Sequence, residues 1–151
     1  MKILKHSIQF LIAGIIIFSS TVHAQSIQKV AAEETIKKFW TGFEKKDWNI
    51  IAMQITDDFT FTSPNHDDHI PAAKFKEKCW GYGIKIFKNI EFNKIVVDGN
   101  TAFVMYTIHN TNNLDGRNVE YYTFSNGKIK SIETFFGAGV GVSGGYSEIV
   151  K

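Results

Sequence analysis

Val119-Glu120-Tyr121-Tyr122-Thr123-Phe124-Ser125-Asn126-Gly127-Lys128-Ile129-Lys130-Ser131-Ile132-Glu133-Thr134-Phe135-Phe136 is the stretch that decides the fold. Asn-Gly is the dipeptide favoured by a two-residue hairpin turn, because both of its positions take positive φ. Its flanks, Val119 to Phe124 and Ile129 to Phe136, are rich in β-branched and aromatic residues, so the stretch reads as a β-hairpin. Immediately upstream, Asn112-Asn113-Leu114-Asp115-Gly116 is a polar loop. Before it, Ile86 to Val97 and Thr101 to Asn110 form another pair of strands about the turn Asp98-Gly99-Asn100.

Further upstream the period changes. Ile27, Val30, Ile36, Phe39, Trp40 and Phe43 approximate one helical stripe, with Ser26 as a cap and Gly42 weakening the last turn. Asp47 stands where a second, short helix carrying Trp48, Ile50, Ile51 and Met53 wants its N-cap. Phe59-Thr60-Phe61-Thr62 alternates as a short strand ended by Ser63-Pro64-Asn65. Pro71 opens a third helix, Pro71 to Cys79, with Ala72, Phe75 and Cys79 facing inward. Helices first and antiparallel strands last define an α+β domain, three N-terminal helices packed on one face of a curved, mostly antiparallel sheet.

The chain has 151 residues, of which 44% are hydrophobic, 21% charged and 14% aromatic, enough for one domain of ordinary size. Its 13 Phe exclude a disordered polar chain, and its single cysteine excludes a disulfide framework within the chain. Residues 1–24 have the composition of a secretory leader: Lys2 and Lys5, an apolar run from Ile8 to Phe18, then Val22-His23-Ala24 with small residues at −3 and −1. That run is shorter than the roughly 20 apolar residues a bilayer span needs, so no stable membrane anchor is expected after cleavage behind Ala24. A periplasmic or secreted protein is expected. The domain then covers 25–137, and 138–151 is a Gly-rich tail, loosely docked. Loss of Lys2 and Lys5 leaves 17 − 2 = 15 basic against 15 acidic residues. A neutral domain with Arg117 as its one arginine lacks the basic surface for nucleic acid.

The order of elements resembles the nuclear transport factor 2-like fold, a cone of three helices against a bent sheet, and its SnoaL-like branch in particular. The resemblance is carried by Phe39-Trp40-Thr41-Gly42-Phe43 with Lys46-Asp47-Trp48, and by Asp57 to Pro64. Asp68-His69-Ile70 with Phe75 and Cys79-Trp80, then Asn126-Gly127-Lys128-Ile129 and Phe135-Phe136-Gly137, extend it over residues 28 to 137. It implies an internal cavity and frequent dimerisation through the sheet, hence a homodimer here. It does not choose among the isomerases, dehydratases, hydrolases, cyclases and non-catalytic modules that share the cone.

If Asn126 and Gly127 are the turn, paired positions sum to 253 and Glu120 faces Glu133, with Tyr122 opposite Ser131, Phe124 opposite Ile129 and Asn118 opposite Phe135. Two carboxyls sharing one site can supply an acid and a base near neutral pH, so Glu120 and Glu133 are the first catalytic candidates. His109 is the third, because imidazole titrates near neutrality. It alternates with Phe103, Met105 and Thr107, whereas Tyr106 shares the other face with Val104 and Ile108, and either face could be the interior. His66-Asp67-Asp68-His69 is too compact for metal ligation, which draws on separated segments; its acids suit the helix start near Pro71. The resemblance puts Asp68 and His69 at the rim of the cone, where they would position a ligand. Trp40, Trp80, Tyr82 and Phe135 read first as core, and Phe61, Tyr106 and Tyr122 join Trp40, Trp80 and Phe135 as candidate cavity wall. Cys79 reads as a buried small hydrophobe. No phosphate loop, G-x-S-x-G elbow or H-E-x-x-H is present, and neither a cofactor nor a metal is expected. Three readings follow. The chain is a binder of a small, partly hydrophobic organic molecule, or an acid/base isomerase, cyclase or dehydratase, or a homodimeric interaction module.

Overall fold

A computed structural model of the protein describes residues 26–111 and 115–136. The expected leader, the tail 138–151 and part of the 112–116 loop lie outside the described residues. Helix α1 covers 26–45 and α2 Trp48–Gln54. Strands β1 (Ile55–Ser63) and β2 (Asp67–Pro71) come next, then a helical run comprising α3 (Ala72–Phe75), a π-helical turn (Lys76–Trp80) and α4 (Gly81–Ile86). Four long strands complete the chain: β3 (Phe87–Asp98), β4 (Thr101–Asn110), β5 (Gly116–Ser125) and β6 (Lys128–Phe136). They form one six-stranded sheet in the order β2-β1-β6-β5-β4-β3, antiparallel except where β1 lies parallel to β6. The architecture is α+β, with helices on one face of a curved sheet.

In α1 the buried stripe is Ala32, Ile36, Phe39, Trp40 and Phe43, whereas Ile27 and Val30 are each 58% exposed. Phase explains the difference: at about 100° per residue, Ile27 is half a revolution from Ile36 and Val30 a third. Gly42 supports the last turn instead of weakening it. A Cβ there would lie 2.4 Å from Ile51 Cγ1, so only glycine lets α2 cross so closely. Lys46, at φ 54°, reverses the chain, and Asp47 accepts a hydrogen bond from the Asn49 amide (2.9 Å) to cap α2.

Two features were not legible in the periodicity. Residues 67–71 pair with β1 as a short edge strand, and Pro71 is its last residue, outside the helix. The helical run continues to Ile86 through Gly81 and Gly83, so the third helix is nearly twice its expected length. Phe75 is its buried anchor, packed among Phe39, Phe43, Phe59 and Phe61.

The closing hairpin turns at Asn126-Gly127 as expected, with φ 50° and 76°. Ser125 pairs with Lys128 and Phe124 with Ile129, but Thr123 then pairs with Ser131. Lys130 is the extra residue of a β-bulge, and beyond it the paired positions sum to 254. A one-residue slip exchanges faces, so Glu120 pairs with Thr134 and Glu133 with Tyr121. Likewise Tyr122 faces Ile132, and Asn118 pairs with Phe136. Further register shifts at Lys88 and Asn93 interrupt β3 against β4.

Candidate functional site

The concave face of the sheet presents Ala102, Val104 and Tyr106 from β4, Glu120 and Tyr122 from β5, and Ile129, Ile132 and Thr134 from β6, all buried. Helix α1 lays Phe39, Trp40 and Phe43 over them, with Trp40 and Tyr106 ring centres 4.9 Å apart. Together with the helical run 72–86 they enclose a cavity of about 440 Å³, walled by Phe39, Trp40, Phe43, Phe61, Phe87 and Ile132.

Its polar groups fall into two sets. The inner set centres on Glu120, only 4% exposed. Tyr122 donates its hydroxyl proton to Glu120 Oε2, Thr134 donates to Oε1 at 2.9 Å, and the Tyr106 hydroxyl also reaches the carboxyl. Tyr122 in turn accepts the indole N–H of Trp40 at 3.1 Å, and Asn118 donates to Tyr106 at 3.4 Å. Among the described residues no cation pairs with Glu120. Burial therefore raises its pKa above the ordinary glutamate value, against the opposing pull of its three hydroxyl donors. Burial likewise drives both tyrosines well above a normal phenol, with the neighbouring carboxylate adding to the effect.

The outer set sits at the open end. Asp67 is buried, accepts from Ser63 Oγ (2.9 Å) and pairs with Lys78 Nζ (2.8 Å), which raises the pKa of Lys78. Asn65 and Tyr82, both exposed, complete the rim. Cys79 also lines the cavity, but burial pushes its thiol to about 12, so it is not a thiolate nucleophile.

Of the residues expected to be catalytic or to bind a ligand, Trp40, Phe61, Tyr106 and Glu120 line the cavity, and Tyr122 stands behind Glu120 as its donor. The other candidates are elsewhere. Glu133 lies on the convex face, exposed, because of the Lys130 bulge; a carboxylate pair with Glu120 does not exist. Phe135 shares that face and is 47% exposed. His109 lies on the same convex side, held by Asp115 (2.8 Å) and Glu91 (3.4 Å), away from the cavity. Asp68 and His69 are exposed and bonded to each other at 2.5 Å on the edge strand β2. Trp80 packs its ring on Trp48 (5.6 Å) outside the cavity lining. Among the described residues no group of three or more His, Cys, Asp or Glu is placed to hold a metal ion.

Sequence reasoning missed Asp67, Lys78, Asn118 and Thr134 as cavity groups. Asp67 and Lys78 meet only because the π-helical turn brings Lys78 back over β2, and no local pattern encodes that contact. Asn118 shares strand parity with Glu120 and could have been found; Thr134 required the bulge.

This fold and cavity define an α+β pocket protein of the nuclear transport factor 2-like class. The SnoaL-like domain family matches residues 36–132, more than half of the chain, and the chain belongs to that family. Among solved structures, a cystatin-like-fold protein of unknown function from Methylobium petroleophilum superposes with TM-score 0.64 at 17% identity, over 77% of this chain and 81% of that one. A nuclear transport factor 2-like protein of unknown function from Burkholderia xenovorans gives 0.61 at 18% identity, over 78% and 91%. TerC, co-crystallised with polyporic acid, gives 0.59 at 16% identity, over 71% and 92%. At these identities the similarity is one of fold. Comparison with curated proteins finds no match.

Proposed function

We propose that this chain is an exported domain that binds a small, partly hydrophobic organic molecule in the cavity. The observation that carries this reading is an aromatic-walled space of about 440 Å³ with two small sets of polar groups in its lining. That is the usual composition of a small-molecule site. The ligand in TerC, a neighbour of the same fold, supports it. Export rests on the leader-like composition of residues 1–24.

A second reading is favoured by Glu120. A buried carboxyl with a raised pKa, hydrogen-bonded to two tyrosines at the cavity wall, is equipped to hold and pass a proton. Isomerase, cyclase or dehydratase chemistry would then use Glu120 alone, with Tyr106 as the polar partner.

The convex sheet face supports a homodimer. Val96, Phe103 and Tyr121 form one cross-strand row and Met105, Val119 and Phe135 the next. Phe103 is 54% exposed, with its ring centre 4.8 Å from that of Tyr121. A continuous apolar patch of this kind marks an association surface, and a second copy would meet it with an identical patch.

Native mass spectrometry of protein purified from its own cell envelope tests these readings together. The expected result is a chain beginning at Gln25, dimeric, with a retained small-molecule mass lost in Glu120→Leu. A chain that keeps Met1 overturns export. A monomer overturns the sheet dimer. A ligand-free protein that also binds no hydrophobic probe overturns the binding reading.

A further inference from the structure

The two acids of the cavity lining differ in what answers them. Asp67 and Lys78 neutralise each other at 2.8 Å at the open end, and Ser63 donates to the other Asp67 oxygen. Arg117 pairs with Thr107 and alternates with Asn118 and Glu120, so its side chain belongs to the convex face of the sheet. Glu120, 4% exposed, is therefore the lining acid with no cation beside it among the described residues. The hydroxyls around it are committed. Thr134 donates to Oε1 and Tyr122 to Oε2, and the Tyr106 hydroxyl also reaches the carboxyl. Each hydroxyl has one proton, and an ionised carboxyl accepts at about four positions. One acceptor position thus stays open on a group that lines the cavity. The Asn118 side chain donates to Tyr106, and its carbonyl oxygen has no donor among the described residues. The inner end has acceptors to spare and one unanswered charge.

Building on the small-molecule reading, we propose that the cavity takes an amphipathic organic amine, held as its ammonium against Glu120. An ammonium group supplies what the inner end lacks, a positive charge and N–H donors, in one charge-assisted hydrogen bond. Trp40 and Tyr106, with ring centres 4.9 Å apart, both line the cavity and both belong to the hydrogen-bonded network of Glu120. A cation at the carboxyl therefore lies beside aromatic rings, which attract it through their quadrupole. Drying an ammonium is costly, and only this coincidence of opposite charge, acceptor and rings offsets the cost. Phe39, Phe61 and Ile132 take the apolar body. The proton count closes by either route: a neutral amine takes the proton of a neutral Glu120, or an ammonium meets the ionised carboxyl, and both give the same ion pair. A carboxylate-headed ligand meets Glu120 as a like charge. An alcohol donates one hydrogen bond and leaves the charge unanswered.

Isothermal titration calorimetry on the full chain at neutral pH, with the near-isosteric probes 2-naphthylmethylamine, 2-naphthalenemethanol and 2-naphthoate, tests this. The amine should bind about tenfold tighter than the alcohol, and the carboxylate weakest of the three. The preference should survive about 1 M salt, because screening acts on exposed charges far more than on buried ones. Glu120→Gln keeps the shape and removes the charge, so it should bring the amine-to-alcohol ratio toward one. Glu133→Gln, on the convex face, should leave that ratio as it is. Equal binding of amine and alcohol, or a preference for either of the other probes, overturns the amine inference and leaves the cavity as a ligand site. An amine preference that persists in folded Glu120→Gln also overturns it. Should that variant not fold, the wild type decides alone: a preference that collapses in salt places the selecting charge on the surface and overturns the inference. Failure of all three probes to bind overturns the binding reading beneath it.

Discussion

Glu120 and Glu133 belong to the same hairpin and carry the same functional group, yet one is sealed among tyrosines and the other faces water. The two faces of β5 and β6 differ accordingly. The concave side holds Tyr122, Ile132 and Thr134 against Trp40, whereas the convex side shows Tyr121, Glu133 and Phe135 to solvent. One unpaired residue, Lys130, decides which side chains share a face, and so decides that the cavity has one carboxyl instead of two. Truncation should expose the contrast most strongly. Ile132→Ala should cost about 2–5 kcal/mol, the range for a large-to-small change in a packed core. Phe135→Ala should stay within about 0.5 kcal/mol in monomeric protein. Urea unfolding of the two variants side by side measures the gap, and equal losses would erase the distinction between the faces.

Removing one hydroxyl from each face sharpens the same contrast at smaller scale. Tyr122→Phe leaves the Trp40 indole N–H and a Glu120 oxygen without their partner, and both residues are buried. The expected loss is about 1–3 kcal/mol, the usual penalty for an orphaned buried polar group. Tyr121→Phe, on the open face, should be nearly silent. Comparable losses in both would mean that the concave network is not what holds β5 against α1.

The protonation of Glu120 gives the third difference a sign. Its pKa is raised in the folded state by burial, so in the acid range both states are protonated and the group contributes no pH dependence. As pH rises past the ordinary Glu value of about 4.3, the unfolded chain releases its proton first, and stability falls until the folded-state pKa is reached. The limiting slope for one group is about 1.4 kcal/mol per pH unit. Glu120→Gln removes this fall, so its stability curve should run flatter than that of the wild type above pH 5 or so. If Glu120→Gln runs parallel to the wild type instead, the carboxyl is solvated and the acid/base reading goes with it.

The sequence carried the strand-rich half of the fold well and its chemistry poorly, for one physical reason. Turns and strands are local: Asn126-Gly127 and Asp98-Gly99-Asn100 specify their hairpins within a few residues, and β4 appears at Thr101–Asn110 as read. A bulge is decided by how two strands settle against a third layer, here β6 between β1 and β5. Nothing within Lys128 to Ser131 announces it. The same holds for the Asp67–Lys78 pair, whose members meet across an edge strand and a π-helical turn. Trp40, Phe61 and Tyr106 were legible as cavity wall because large aromatics at helical or strand period have few other places to go. Glu133 and Phe135 followed the right alternation from the wrong origin and landed on the convex face; His109, whose face the alternation left open, lies there too.

His109 supplies the faintest test of that face. Asp115, bonded to its Nδ1, raises the imidazole pKa first of all, and Glu91 adds to the effect against partial desolvation. In turn His109 lowers the pKa of Asp115. A histidine raised in the folded state stabilises fully below its unfolded value of about 6.5, and the benefit disappears as pH climbs through the folded pKa. The pair is open to solvent and screened by salt, so the stability change should be the smallest of the four. Imidazole proton shifts report it more directly than denaturation. In the wild type the His109 titration should centre above the ordinary histidine value, and Asp115→Asn should bring it down while leaving the slope attributed to Glu120 untouched. A coupled change in both would mean that the two faces of the sheet communicate, and that the convex histidine senses the state of the cavity.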